Sequence, residues 1–349
     1  MNITSKKIYF VCPDKKVPVG GVKQLYRQVE ILKKNGFEAF IVHRKHGFRA
    51  KWFLNDVAIV YKPYIFHRID KNRKTSFYYK VKYFFKGFLI NCKEVESNSI
   101  IVFPETLAVH IEPDLFIQQK VIFNQNCYYT FHEYNAEKNN YHIYTDKNTL
   151  ATIVVSNDSK NYLNYKFNDI KINRIRLGIN SLFQFDDQKK KQIAFMPRKL
   201  SQDLVQIIQL LKDKKSLQDW KWIEIDNKTE YEVASILKES ALFLSTNHIE
   251  GFGLPPAEAM ACGCYVIGYT GNSGREYFDN QYSSIIESGD VLAFSREIEK
   301  IVDCYNENPS EILGKGKLAS DFIQHNYNLD IEEQEILRTW KKYYKTLNQ

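Results

Sequence analysis

Short apolar runs alternate along this chain with stretches whose apolar residues return every three or four positions. Residues 7–12 are almost wholly apolar, which predicts a strand buried on both faces. After a loop over 13–21, Val22, Leu25, Tyr26, Val29 and Leu32 share one side of a helix running to about Asn35, with Gly36 as its stop. Residues 38–43 predict a second strand. With Gly20 and Gly21 just ahead of the helix, this strand, turn, helix and strand make the opening unit of a Rossmann-like domain. A tight turn accounts for the glycine pair equally well.

The alternation continues. Strands are predicted at 57–61, 99–103, 120–124 and 151–155, with helices between several of them, so the fold class is α/β with a parallel sheet. Ligands on such sheets bind beyond the carboxyl ends of the strands. Phe103-Pro104-Glu105 and Asn124-Gln125-Asn126 lie at two of those ends. Glu105, Asn124 and Gln125 are therefore candidates for lining a cleft, against a helix cap for the acid and loop-backbone partners for the amides. Residues 77–90, wound as a helix, place Phe77, Val81, Phe84 and Phe88 on one face with Lys80 and Lys82 beside them. A helix packed on its own sheet is the plain reading, and one lying on a membrane surface is the sharper one. Ser156 suits an N-cap, and 172–177 predicts a strand ending in Gly178-Ile179-Asn180.

A polar stretch over 181–192 reads as a linker between domains. Beyond it, 193–196 predicts a strand that runs at once into Arg198 and Lys199. Arginine brings a planar fork of donors and lysine a mobile charge, a pairing suited to a diphosphate, or else to a solvated basic turn. A helix at 202–211, a strand at 220–225 and a Thr229–Glu232 capping box lead to the apolar run 241–244. Later elements are strands at 265–268 and 283–286, a helix capped by Asp290, and a final helix bearing Ile331, Ile336, Leu337, Trp340 and Tyr344.

Composition narrows this picture more than it adds to it. At 349 residues the chain exceeds one ordinary core, and with 44% hydrophobic residues but no long apolar run it reads as globular, without a membrane span or signal peptide. A cytoplasmic protein is expected. The 6 cysteines form no Cys-x-x-Cys pair and suit buried, reduced thiols, Cys262 and Cys264 included. A formal charge of +8 raises the question of nucleic acid, yet no zinc-finger spacing or RNP-like motif accompanies it, so no nucleic-acid partner is expected.

Candidate chemistry concentrates in residues 248–263, His-Ile-Glu-Gly-Phe-Gly-Leu-Pro-Pro-Ala-Glu-Ala-Met-Ala-Cys-Gly. A buried strand feeds a loop with Gly251 and Gly253, then a short helix. Pro256 suits the first helical position and Gly263 the left-handed residue beyond its end. The N-H groups of Gly251, Phe252, Gly253 and Leu254 form a cradle for anionic or hydroxyl-rich groups, flanked by Glu250 at the strand exit and Glu258 in the expected first turn. His248, two residues before Glu250, is within reach of the same cradle. The plain alternatives are helix-dipole pairing for Glu258 and solvation for Glu250.

The run resembles the Glu-x7-Glu motif of family 4 glycosyltransferases, retaining GT-B enzymes that use nucleotide sugars. That resemblance implies two Rossmann-like domains facing a cleft, here 1–180 with 331–349 on the acceptor side and 193–328 on the donor side, the last helix crossing back. By it, Glu258 accepts from the ribose diol, Glu250 holds the sugar hydroxyls, and the N-H groups of Phe252 to Leu254 serve sugar and phosphates. Arg198 matches the diphosphate cation best, with Lys199 as the second. The turn with Asn272 and Ser273 resembles a glycine-rich turn near the donor. Gly20, Gly21 and Lys23 occupy the place of a loop facing phosphate and acceptor, and Gly178-Ile179-Asn180 resembles the segment closing the first domain. Many members place a first-domain histidine near the reacting sugar; Glu105, at a comparable strand end, is the candidate here.

The chain has no Asp-x-Asp, the cation-holding pair of the other common sugar-transferase fold. Cations and helix N-termini stabilise a leaving diphosphate without one, so neither a metal nor a cofactor is expected. The reading is a hexosyltransferase-type enzyme passing sugar from a nucleotide sugar to a glycan or glycolipid acceptor in cell-surface polysaccharide synthesis, with peripheral membrane contact. A nucleotide-sugar epimerase of the same fold and a non-catalytic GT-B scaffold are its alternatives.

Overall fold

The computed structural model describes residues 6–73, 95–112, 115–131, 142–197, 201–247 and 249–347. The helix expected at 77–90, the cations Arg198 and Lys199, and His248 lie outside the described residues. The chain divides into two compact units, Met1–Ile175 with Glu333–Gln349, and Arg176–Glu332.

The first unit is built on seven parallel strands. These are β1 (Ile8–Val11), β2 (Ala39–His43), β3 (Ile59–Tyr61), β4 (Ile100–Pro104), β5 (Gln119–Asn124), β6 (Thr149–Val154) and β7 (Ile172–Arg174). Their order in the sheet is β3-β2-β1-β4-β5-β6-β7. The chain steps outward from β1 to β3, then returns to the other side of β1, where Ile8 pairs with both Ala39 and Ile100. That reversal between β1 and β4 opens a crevice at the carboxyl edge, the usual seat of a ligand on an open parallel sheet. β1 and β4 are fully buried, which explains why their sequences show no alternation of polar residues.

The final helix, Leu329–Leu347, contributes its later turns to this unit. Trp340 is buried and donates through Nε1 to Gln28 at 3.4 Å, while the Tyr343 hydroxyl accepts from Asn173 at 2.8 Å. Phe10 of β1 packs on the Trp340 ring at 5.7 Å. The apolar spacing noted for this helix thus covers the first sheet.

The second unit carries β8 (Lys190–Phe195), β9 (Lys221–Glu224), β10 (Ser240–Ser245), β11 (Tyr265–Gly268) and β12 (Ser283–Ile285). All are parallel, in the order β12-β11-β10-β8-β9. A second reversal therefore falls between β8 and β10. The Thr229 capping box forms as the sequence predicts, each side chain bonding the other's backbone N-H. Asp290 likewise caps the helix Val291–Glu307 through Ala293 N at 2.9 Å.

Residues 181–189, read from sequence as a polar linker, are packed onto the second unit. Phe183 is buried, Asp186 N donates to Cys262 O at 3.3 Å, and Lys189 Nζ reaches Leu237 O at 2.9 Å and Cys262 O at 2.7 Å. One apolar anchor and one lysine spending its donors on carbonyls are enough to fix a stretch that composition alone marks as loose. Residues 176–180 also lie with this unit, Ile179 N donating to Tyr327 O at 2.7 Å.

Candidate functional site

At the carboxyl end of β10 the chain enters the loop that leads through Glu250 to the helix Leu254–Ala261. A second loop, after β11, meets it. Glu250 N donates to Gly271 O at 3.1 Å, and Glu250 pairs with Asn272 as an isolated parallel bridge. Residues far apart in sequence are thus neighbours, which brings Glu250, Asn272 and Ser273 to one place. Ser273 is fully buried, and its Oγ has no hydrogen-bond partner among the described residues. A buried hydroxyl left so costs about 1–3 kcal/mol.

Gly251, Phe252 and Gly253 form a buried loop pinned from behind by Tyr277. Its hydroxyl lies 3.0 Å from Phe252 O and 2.7 Å from Gly253 O, donating to that pair of carbonyls. Fixing the carbonyls on one side leaves the loop's N-H groups pointing elsewhere. Burial holds the Tyr277 pKa well above its usual value, so the hydroxyl keeps its proton. Phe252 packs at a tilt against both Tyr277 and Tyr327, with ring centroids 5.3 Å and 5.2 Å away. Gly253 adopts φ +84°, and a Cβ there would sit 2.6 Å from the Tyr277 hydroxyl, so this position has room for glycine alone.

Gly253 is the N-cap, and the helix starts earlier than the sequence suggests. Pro255 and Pro256 become its second and third residues rather than a leader and a first residue. Both lack an N-H, so of the first four helical positions only Leu254 and Ala257 can donate outward. Glu258 is consequently the fifth residue, in the second turn instead of the first. The helix dipole acts mainly within the first turn, so dipole pairing explains Glu258 poorly. It is half-exposed, one turn along from the Gly253 bend.

In the first unit, Gly20 and Gly21 open the helix Gly20–Lys34 rather than precede it, and Lys23 lies in its first turn. Gln125 links two other candidates. Its backbone N donates to Glu105 Oε2 at 3.0 Å, and its side-chain Nε2 donates to Gly21 O at 3.1 Å. Glu105 begins a one-turn helix, Glu105–Ala108, at the end of β4. Gly21, Glu105 and Gln125 therefore meet at the carboxyl edge where the first sheet reverses. Asn124 points elsewhere, donating within the interior to Thr130 Oγ1 and to the Tyr144 hydroxyl, both at 2.8 Å.

Burial, opposed by the N-H groups of Gln125 and of Glu105 itself, lifts the Glu105 carboxyl to about 7. Between an ordinary pKa of 4.5 and that value, the folded chain holds a proton that the unfolded chain has lost. The favourable contribution is thus complete below about pH 4.5 and disappears as pH rises through about 7. Glu105→Gln cannot ionise. Its unfolding free energy, measured in urea, is expected to gain on the wild type between about pH 5 and about pH 8, by on the order of 2–3 kcal/mol. A constant gap would contradict this assignment.

Two features had no sequence signal. Tyr277 follows Arg275 and Glu276 as one aromatic among many, and nothing in spacing marks its reach back to Phe252. A hydrogen-bonded chain, Asp14–His43–Tyr26, with the histidine and tyrosine buried and the acid at its partly exposed end, joins the first two strand ends: His43 Nδ1 lies 2.9 Å from Asp14 Oδ1, and Nε2 lies 2.6 Å from the Tyr26 hydroxyl. Asp14 also accepts from the N-H groups of Arg44 and Lys45, at 3.2 Å and 3.0 Å.

Residues 223–318 match the model of the family described as Glycosyl transferases group 1. This span contains Glu250, Glu258, Asn272, Ser273 and Tyr277. An alpha-1,6-glucosyltransferase of Actinobacillus pleuropneumoniae serotype 7 is 26% identical over 266 residues, covering 71% of this chain and 76% of its own. Among solved structures, sucrose-phosphate synthase of Thermosynechococcus elongatus superposes with TM-score 0.68 at 15% identity, over 98% of this chain and 100% of that one. HepE of Anabaena, in complex with UDP, gives 0.66 at 12% identity, over 96% and 100%. The chain thus has the GT-B fold, and its residues 223–318 match a Glycosyl transferases group 1 domain.

Proposed function

We propose that this protein moves a hexose from a nucleoside-diphosphate sugar to a glycan or glycolipid acceptor, with retention and without a metal, in the synthesis of a cell-surface polysaccharide. The observation that carries the reading is the meeting of two loops at the end of β10. There Glu250 is tied to Gly271 and Asn272, beside the unpartnered buried hydroxyl of Ser273 and ahead of a glycine loop braced by Tyr277. A hydroxyl-rich ligand gives Ser273 the partner it lacks. The relative named above is an alpha-1,6-glucosyltransferase, which favours glucose among hexoses and a polysaccharide as product.

In this scheme Glu258 accepts from the ribose diol and Glu250 from sugar hydroxyls, orienting the anomeric carbon. N-H groups of the Gly251–Leu254 segment, with Arg198 and Lys199, face the diphosphate. The bond from the anomeric carbon to the diphosphate oxygen breaks, its electron pair stays on the phosphate, and these donors stabilise that charge as it grows. The acceptor oxygen bonds to the same carbon and passes its proton to the departing phosphate oxygen. Uridine diphosphate is the first nucleotide to try, since HepE was solved with it.

No helix among the described residues is long and apolar enough to cross a membrane. A lipid-borne acceptor would bring the protein to a membrane face, in keeping with a cytoplasmic enzyme acting at its periphery. Incubating the purified protein with a panel of nucleotide sugars tests the reading. Slow release of nucleoside diphosphate from one of them is expected. An isomerised sugar still on its nucleotide would replace transfer with epimerisation, and complete silence without binding would leave a scaffold.

A further inference from the structure

The turn that meets Glu250 is held in a conformation that asparagine adopts only under constraint. Asn272 has φ +66° and ψ −58°, and Ser273 N donates to Gly271 O at 2.9 Å across it. A bond between residues two apart, around a centre with these angles, is the γ-turn of positive φ, which is rare and strained. It lies outside the left-handed helical region, where ψ is positive and asparagine is well tolerated. Asn227, the other non-glycine residue of positive φ among the described residues, sits in an exposed turn and bonds its neighbour Asp226 at 2.7 Å.

The surroundings over-determine the strain. Gly271 O accepts from Glu250 N at 3.1 Å as well as from Ser273 N, Gly274 N donates to Thr270 O at 2.9 Å, and Arg275 N donates to Asn272 O at 3.2 Å. Gly274 O accepts from the N-H groups of Tyr277 and Phe278, both at 2.9 Å. Tyr277 therefore holds this turn through its backbone and the Gly251–Gly253 loop through its hydroxyl. Gly271, Ser273 and Gly274 are buried, so Asn272 is the residue of this turn that reaches the surface.

Glycine takes such a conformation without steric cost, and the chain places glycine one position earlier and two positions later. Asparagine at the strained centre gives up stability that glycine would return, which a turn shaping backbone alone does not need. What it adds is a carboxamide, a group that both donates and accepts. Its neighbours complement it. Glu250, when ionised, only accepts, and the buried Ser273 Oγ has no partner among the described residues. Side by side, these groups can tell hydroxyls of one orientation from those of another, because an epimer leaves one of them without its match.

We infer that Asn272 determines which hexose the donor site takes, its carboxamide reading the configuration of a sugar hydroxyl beside Glu250. The inference rests on the proposed donor site and adds to it the residue that sorts epimers. Its test is binding and does not require turnover. The wild type, Asn272→Gly and Asn272→Ala, each as the full chain, are titrated calorimetrically with uridine diphosphate glucose and with its C4 and C2 epimers. The wild type is expected to bind one of these esters about tenfold or more tighter than another. In both variants that gap is expected to close to within about threefold, while uridine diphosphate itself binds all three proteins within about threefold.

Heating separates this role from a purely structural one. Asn272→Gly relieves the strained turn, so its thermal midpoint is expected to rise by about 2–6 °C. Asn272→Ala keeps the strain, and its midpoint is expected to fall. Variants that move apart in stability and together in selectivity do not owe the loss to unfolding. Wild-type selectivity in Asn272→Gly, equal binding of the three esters by the wild type, or a lowered midpoint in Asn272→Gly would each overturn the inference. If the esters are sorted as expected and none reacts, only the enzymatic reading fails; if transfer occurs and Asn272→Gly sorts them like the wild type, only the role of Asn272 fails.

Discussion

Glu250→Ala is expected to lower the turnover of sugar transfer by about a hundredfold to a thousandfold while changing nucleoside diphosphate affinity by less than about threefold. The expectation comes from where the backbone puts this side chain. Glu250 N is already spent on Gly271 O, and the residue bridges to Asn272. The main chain is therefore fixed by the neighbouring loop, and truncation at Cβ leaves that framework in place. What disappears is a carboxylate able to hold sugar hydroxyls as the anomeric carbon leaves the diphosphate. Holding a reacting group in the productive geometry acts on turnover, whereas contacts made equally in ground and transition states act on KM. Steady-state kinetics separates the two. A variant with ordinary turnover and a raised KM would make Glu250 a binding residue only, and one with both unchanged would remove it from the site.

Glu258 carries the complementary expectation. Its position in the second turn takes it beyond the strongest part of the helix dipole, so the plain explanation of an acid near a helix start loses force. A carboxylate accepting from both hydroxyls of a ribose makes charge-assisted hydrogen bonds of about 1.5–3 kcal/mol each. Removing both is expected to weaken nucleoside diphosphate binding by about a hundredfold or more. The chemistry occurs at the far end of the donor, so turnover at saturating donor should fall much less. Glu250 and Glu258 thus fail in opposite ways, a pattern that two generic surface acids would not produce.

Much of this arrangement is legible in the sequence, because buried parallel strands and amphipathic helices leave strong local patterns. Every strand predicted from an apolar run is present within a few residues, from β1 through β12. The caps at Ser156, Thr229 and Asp290 form as their spacing requires. Gly263 takes φ +86°, beyond the helix end as expected. Helix starts read less well. At Gly20 and at Leu254 the helix begins about two residues early, since glycine and proline are tolerated in a first turn whose N-H groups have no partners anyway. That two-residue difference moves Glu258 by a little over half a turn and takes two donors from the helix end.

What the sequence could not reveal are contacts set by topology. Nothing local says that Glu250 lies beside Asn272, that Tyr277 braces Phe252 and Gly253, or that Gln125 ties Glu105 to Gly21. Each depends on which strands the chain places side by side, at β10 and β11 or at β1, β4 and β5. The polar stretch before β8 misleads for a related reason. Its composition is that of a linker, while Phe183 and Lys189 find partners only once the second sheet exists. Asn124 likewise sits at a strand end that invites a ligand, yet its amide is turned to Thr130 and Tyr144.

Calorimetric titration of the full chain with uridine, guanosine and adenosine diphosphates, repeated on Glu258→Ala, tests the donor site most directly. Saturable one-to-one binding of one of these nucleotides by the wild type is expected, with a loss of about a hundredfold or more in the variant. Equal affinity in the two proteins, or no binding of any of them by the wild type, would contradict it.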